Sequence, residues 1–99
     1  MGAEDREIEQ SATEAVLRVK SSSNAGSLAS AIAYAVYDGK KVSLRAIGAG
    51  AVNQAVKSVA IAQGFVGPRG YVLSMRPGFT TVVMPDREVS AIILSVFSA

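Results

Sequence analysis

Apolar and polar side chains alternate over residues 15–20, and this period of two predicts a strand with one buried face. The following SSSN (21–24) is typical of a helix start, because these side chains accept hydrogen bonds from the first unpaired backbone N–H groups. Residues 25–37 then place apolar side chains at helical spacing, and Asp38-Gly39 ends this predicted helix. Its predicted buried stripe is Leu28, Ala31, Ile32, Ala35 and Val36.

A second alternating segment, 42–47, predicts another strand, which leads into a turn containing Gly48 and Gly50. The helix predicted after this turn has one apolar face and ends at Gly64. That face consists of Val52, Ala55, Val56, Val59 and either Ala62 or Gln63. The GPRG segment (67–70) is predicted to be a loop.

The last third of the chain has the pattern of two further strands. The first covers 71–75 and resumes at 79–84 after Pro77-Gly78, since proline and glycine both weaken a strand interior. A turn then leads into the final strand, 89–97. The order β-α-β-α-β-β predicts an α/β protein, specifically an α+β two-layer sandwich with both helices on one face of a four-stranded mixed sheet.

Charge divides the chain into two parts. Residues 1–14 carry five acidic side chains and one basic one, a net charge of −4, whereas residues 15–99 carry nine basic and three acidic ones, a net charge of +6. We therefore predict a mobile acidic tail over 1–13 and a single basic domain over 14–99. This positive excess favours a polyanionic partner, and solubility alone is the alternative reason for it.

Most catalytic and metal chemistry lacks its residues in this sequence. The chain has no cysteine and no histidine, and residues 15–99 have only three carboxylates, which argues against disulfides, a catalytic triad and a metal cluster. The run GAGAVN (48–53) lacks the third glycine of a dinucleotide fingerprint, and no Gly-Lys-Ser or Gly-Lys-Thr run of a triphosphate loop follows. We predict a protein that is not an enzyme and uses no cofactor or metal.

The ends and the hydropathy of the chain bear on its location. The first ten residues have neither the basic region nor the apolar stretch of a secretory signal. No apolar run approaches the roughly 20 residues that a membrane span requires. We therefore expect a cytoplasmic protein without a membrane partner.

The predicted topology brings two helix starts together. Turns after the first and second strands emerge at the same end of the sheet, so both helix N-termini, with free N–H groups and positive dipole ends, can form a seat for phosphates. The polar or glycine residues at this end are Lys20, Ser22, Asn24, Gly48, Gly50, Asn53 and, one turn deeper, Lys57.

Single features of this region also have plain structural interpretations. The two glycines fit a tight turn with close helix packing as well as they fit a phosphate seat. Tyr34 and Tyr37, three apart on a helix, fit packing better than base stacking. Arg18 and Arg45 fit either an exposed face of the sheet or a dimer edge.

The run IGAGAVNQAVKSVAIAQGFV (47–66) closely resembles the signature of the stage V sporulation protein S family of small bacterial proteins. SSSNAGSLASAIA (21–33) resembles the start of that family's first helix, and the resemblance covers about residues 15–97. It implies a fold similar to that of Alba, a chromatin- and RNA-binding protein type with the same element order that is usually dimeric. In Alba-like proteins the loop after the first strand, the glycine loop before the second helix and the arm between the last two strands contact nucleic acid.

Carried onto this chain, the resemblance implies a nucleic-acid site made of three parts. These are Lys20 and Asn24, then Gly48, Ala49 and Gly50 with Asn53 and Lys57, and finally the arm from Arg76 to Arg87. It also implies a regulatory role in sporulation and related developmental programmes. We therefore predict a homodimeric regulator that binds DNA or RNA with weak sequence preference. A protein-interaction module without nucleic-acid binding is the main alternative, and a small anion bound at the glycine turn is a weaker one.

Overall fold

A computed structural model describes residues 8–99 of the chain. The layout is five strands, two α-helices and one short 3-10 helix. In chain order they are β1 (Ile8–Gln10), β2 (Glu14–Val19), α1 (Ala25–Tyr37), β3 (Lys41–Ala46), α2 (Ala49–Val66), the 3-10 helix (Gly67–Arg69), β4 (Leu73–Val83) and β5 (Glu88–Ser98).

The strands form one mixed sheet in the order β1-β2-β3-β5-β4. The pair β2 and β3 is parallel, because α1 returns the chain to the end of the sheet at which β2 began, and the other pairs are antiparallel. The two helices pack against each other and against β2 and β3. This arrangement confirms the predicted α+β class.

The sheet has five strands, so the predicted count of four is wrong. Part of the segment predicted as a mobile tail forms β1, in which Ile8 pairs with Leu17 of β2. Glu9 forms an ion pair with Arg18, and Lys40 Nζ donates a hydrogen bond to Gln10 Oε1 at 2.7 Å. Three residues are too few to show a period, and these partners are distant in sequence. Residues 1–7 of the predicted tail lie outside the described residues.

The core lies between the helices and one face of the sheet, and it contains many alanines that allow the helices to approach closely. Its fully buried side chains of greatest volume are Leu17, Ile32, Leu44, Val66 and Ser58. The buried hydroxyl of Ser58 donates to the carbonyl oxygen of Ala55 at 2.7 Å, which satisfies its hydrogen-bonding capacity.

The buried face of α2 differs from the predicted one. Ser58 is fully buried, whereas Val56, which belongs to the predicted face, is 42% exposed. Val52 is only partly buried. The buried set is Ala51, Ala55, Ser58, Val59, Ala62 and Val66. The face is therefore rotated toward small residues, because close packing against α1 favours alanine and serine over valine.

Two predicted interruptions are absent. Gly64 does not end α2, because it keeps a right-handed backbone conformation; the first left-handed residue after the helix is Gly70, with φ of 90°. Likewise β4 continues through Pro77-Gly78. Proline is tolerated there because β4 is an edge strand, where a missing N–H donor need not break the sheet.

Candidate nucleic-acid interface

The loop between β2 and α1 is held by its own polar groups. The backbone N–H of Lys20 donates to Ser23 Oγ at 2.8 Å, and the N–H of Ser23 donates to the Lys20 carbonyl at 3.0 Å. Asn24 Oδ1 then accepts from the N–H of Ser27 at 2.9 Å and so caps α1. The side chains of Lys20 and Ser22 are exposed at this preorganised turn.

Helix α2 begins without a side-chain cap. Its N-cap residue is Gly48, whose φ of 90° and ψ of 157° suit glycine and strain other residues. The helix starts at Ala49, so Gly50 lies inside the first turn and not before the helix as predicted. No side chain accepts a hydrogen bond from the first turn of α2. The N–H groups of Ala49 and Gly50 therefore lack a side-chain cap.

The two helix starts are in direct contact. A Cβ added to Gly50 would lie 2.9 Å from the Cβ of Ser21, so only glycine lets α2 approach the first loop this closely. Gln54 Nε2 donates to the carbonyl oxygen of Ser23 at 2.7 Å and links the same two segments. The convergence predicted from topology is therefore present, and each glycine also has a structural reason.

Two exposed lysines, Lys20 and Lys57, give the helix starts positive charge. Neither helix has an acidic residue in its first turn, so no side chain there offsets the positive end of either dipole. Asn53 and Lys57 are both exposed and lie on one face of α2. At 1.5 Å per residue, Lys57 is about 12 Å along the helix axis from Ala49.

The β4–β5 hairpin forms an arm beside this junction. Strand β5 pairs with β3 no further than Ile92, opposite Ala46, but its pairing with β4 continues to Glu88. The four residues before Ile92 therefore extend about 13 Å past the end of β3, at the same end of the sheet as the helix starts. Arg87 lies at the tip of this arm.

Arg87 is only weakly neutralised. Its Nη1 lies 3.5 Å from Asp86 Oδ2, and the two side chains are 67% and 75% exposed. An ion pair this exposed contributes little and exchanges readily with another anion. The backbone at the tip is fixed by the N–H of Met84, which donates to the Arg87 carbonyl at 2.7 Å.

The signature run 47–66 thus forms the two-residue connection after β3, which ends in the N-cap Gly48, and the whole of α2. The sequence model of the stage V sporulation protein S family matches residues 15–99. The chain belongs to the stage V sporulation protein S family. Membership indicates a regulatory role in sporulation. The match covers β2 to β5 and leaves β1 outside it.

One predicted site residue of this stage V sporulation protein S chain lies elsewhere. Arg76 is inside β4, where it pairs with Ser95, and Ser95 pairs in turn with Ser43 of β3. Its guanidinium carbon is 5.2 Å from the centre of the Phe97 ring. The structure therefore places Arg76 on the sheet face away from the helices and does not bring it to the helix starts.

Sequence reasoning missed two contributions to this junction. Ser21 and Gln54 hold the loops together, but their partners are 29 and 31 positions away, a separation that no local pattern reveals. Ile8 of β1 lines a small cavity of about 170 Å³ with Asn24, Ser27 and Leu28, so the N-terminal strand reaches the start of α1.

Within residues 8–99, no helix is long and apolar enough to cross a membrane.

Proposed function

We propose that this protein is a non-enzymatic nucleic-acid-binding regulator of the stage V sporulation protein S type. The observation that carries the proposal is the uncapped start of α2, held against the first loop by Gly50 and by the bond from Gln54 to Ser23. A phosphate there would accept from backbone N–H groups at the positive end of the helix dipole. Lys20, Lys57 and Arg87 would supply the neighbouring charge.

Binding of this kind depends on the backbone of the nucleic acid. Phosphate contacts fix position and carry no sequence information, and we assign the backbone N–H groups and the lysines of the junction to phosphates and not to base edges. We therefore propose weak sequence preference for DNA or RNA, without a metal or cofactor, in the cytoplasm. Affinity should fall as salt displaces the protein from the phosphates.

We also propose that the protein acts as a homodimer. Phe79 and Val83 lie on the same side of β4 and are 81% and 75% exposed, an unusual exposure for large apolar side chains. A second copy packed on this side of the arm would remove them from water and would double the number of phosphate contacts. Sedimentation of Phe79→Ser against the parent chain tests this part separately.

The decisive experiment is anisotropy of labelled single- and double-stranded DNA and RNA as salt is raised. We expect Lys20→Glu with Lys57→Glu to weaken binding and to flatten the salt slope by about two phosphate contacts. The matched control is Lys41→Glu with Arg69→Glu, the same change in charge away from the helix starts. Equal slopes in both double variants would remove Lys20 and Lys57 from the site.

A protein-interaction module is the second candidate, and the uncovered face of the sheet favours it, since that face has a groove of about 290 Å³. It predicts no binding of either nucleic acid at micromolar protein and low salt. Binding that falls steeply with salt would instead support the nucleic-acid function.

A further inference from the structure

The helices cover only one face of the sheet, and the other face has a groove between its strands. The groove has a volume of about 290 Å³. Its middle is formed by Val16, Ser43 and Ser95, which lie side by side on β2, β3 and β5. Around it lie Glu14, Lys41, Arg76, Ile93 and Phe97, and Arg45 is next to the groove, opposite Ile93. We call this surface the sheet-face groove.

Positive side chains in and beside this groove outnumber its one lining carboxylate, Glu14, which is opposite Lys41, and this excess has a cost to the fold. Arg18 and Arg45 are directly opposite each other on β2 and β3, and like charges in this relation are destabilising. Arg18 has the carboxylate of Glu9 as a partner. Within residues 8–99, no carboxylate forms an ion pair with the half-buried Arg45. Lys41 and Arg76 add two more charges at the rim.

An ion pair within the chain indicates the kind of ligand that this face can accept. Glu9 comes from an extended segment, β1, and its carboxylate binds Arg18 from the side of the sheet. Arg45 is the next cation along the same row and offers the same kind of guanidinium group. Between Arg45 and Arg76 lie Ile93 and Ser95 of β5, and Phe97 lies next to Arg76. The apolar atoms of Ile93 and Phe97 suit an apolar side chain and not a phosphate.

We infer that the sheet-face groove binds an extended, acidic segment of a partner protein, with an apolar side chain in the groove and carboxylates on Arg45 and Arg76. This inference does not depend on nucleic-acid binding, which is assigned to the helix starts and the arm.

The spacing of the two arginines defines the ligand further. They are two strands apart and two residues out of register, so their Cα atoms lie about 12 Å from each other. In an extended chain, residues i and i+4 lie about 13 Å apart and on the same face as i+2. The groove therefore matches two glutamates four positions apart with a valine or isoleucine midway. Guanidinium groups can bind each carboxylate through two parallel hydrogen bonds.

A labelled peptide with the order Glu-Ser-Val-Ser-Glu, acetylated and amidated, tests this inference by NMR titration of the full chain. We expect shifts at Ser43, Ser95 and Phe97, and no shifts with the matched peptide in which both glutamates are glutamine. Arg45→Gln with Arg76→Gln should weaken binding about tenfold, the combined effect of two partly exposed ion pairs. Lys20→Gln with Lys57→Gln is the matched control and should bind as the parent does.

Several results would overturn the inference. These are no shifts at millimolar peptide, equal binding of the glutamine peptide, or undiminished binding by the arginine double variant. Loss of nucleic-acid affinity in that variant with unchanged peptide binding would make the face a nucleic-acid surface. Shifts at the groove that depend on protein concentration alone would assign it to a second copy. Arg76→Lys keeps the charge but cannot form the two parallel hydrogen bonds. If this variant binds the peptide with an affinity between those of the parent and the arginine double variant, the loss in the double variant is due to the missing ion pairs and not to unfolding.

Discussion

The two helices begin at the same place, but their first turns are completed in different ways. At α1 the side chain of Asn24 accepts from the N–H of Ser27, so the chain satisfies its own donor. At α2 the N-cap is Gly48, which has no side chain to offer. In the function proposed above, anion binding is therefore assigned mainly to α2, while α1 serves to position the loop next to it.

The two starts also differ in what they contribute to stability. A side-chain cap is worth about 1 kcal/mol relative to alanine, but a glycine N-cap such as Gly48 gives up only about a few tenths of this. In exchange, Gly50 allows the contact with Ser21 that fixes the position of the open N–H groups. N–H groups that are already held in place lose less conformational entropy when a ligand binds, so the proposed anion binding does not require a side-chain cap on α2.

The largest expected effect follows from Gly50→Ala. Its Cβ would lie 2.9 Å from the Cβ of Ser21, so the two helix starts must separate. We expect a loss of about 1–2 kcal/mol in urea unfolding, after the gain in helix propensity is included. Gly64→Ala is the matched control, because its Cβ would meet no atom within 4 Å, and it should stabilise the protein by about 0.5–1 kcal/mol. Equal stabilities would show that the contact with Ser21 is not tight.

A smaller effect is expected for Asn24→Ala. Removing the cap of α1 should cost about 1 kcal/mol of unfolding free energy in the same urea experiment. The salt slope of nucleic-acid binding should not change, because the phosphate seat is assigned to α2. Asn24→Asp retains the cap and should preserve stability while its negative charge weakens binding. A flattened slope in Asn24→Ala would assign phosphates to the start of α1 as well.

The smallest change in stability, and of the opposite sign, is expected for Ala49→Glu. A carboxylate in the first turn interacts favourably with the helix dipole and should stabilise the fold by about 0.5 kcal/mol. The same carboxylate should compete with phosphate for the open N–H groups and weaken nucleic-acid binding. Ala49→Gln, which has the same size without the charge, is the control for both thermal unfolding and anisotropy. Stronger binding by Ala49→Glu would contradict the assigned seat.

Local signals predicted those elements whose start and end are determined by neighbouring residues. Helix α1 has the predicted bounds, because Asn24 caps it and Asp38-Gly39 ends it. Gly64 was misassigned because glycine ends a helix only when its backbone turns left-handed, and packing against α1 carries α2 onward to Val66. Strand β1 was missed because its three residues depend on partners in β2 and on Lys40.

The candidate site was predictable to a similar extent. The two helix starts meet at one end of the sheet because of the β-α-β connection alone. The element order is therefore enough to place Lys20, Asn24 and Gly48 together. Arg76 could not be placed, because Pro77-Gly78 indicated a break in a strand that tertiary pairing keeps continuous. The sheet-face groove required knowledge of the cross-strand register, which sequence periodicity does not supply.

The two outer strands of the sheet have a further consequence for behaviour at high concentration. On one side the described part of β1 has three residues, whereas β4 on the other side has eleven residues with exposed apolar side chains. A long edge strand with unpaired backbone groups is a template for aggregation, because strands of other chains can pair with it. Pro77 lies near the middle of β4 and has no N–H, so an approaching strand cannot form an unbroken ladder there. A single proline thereby helps to prevent an edge strand with exposed apolar side chains from starting the formation of fibrils.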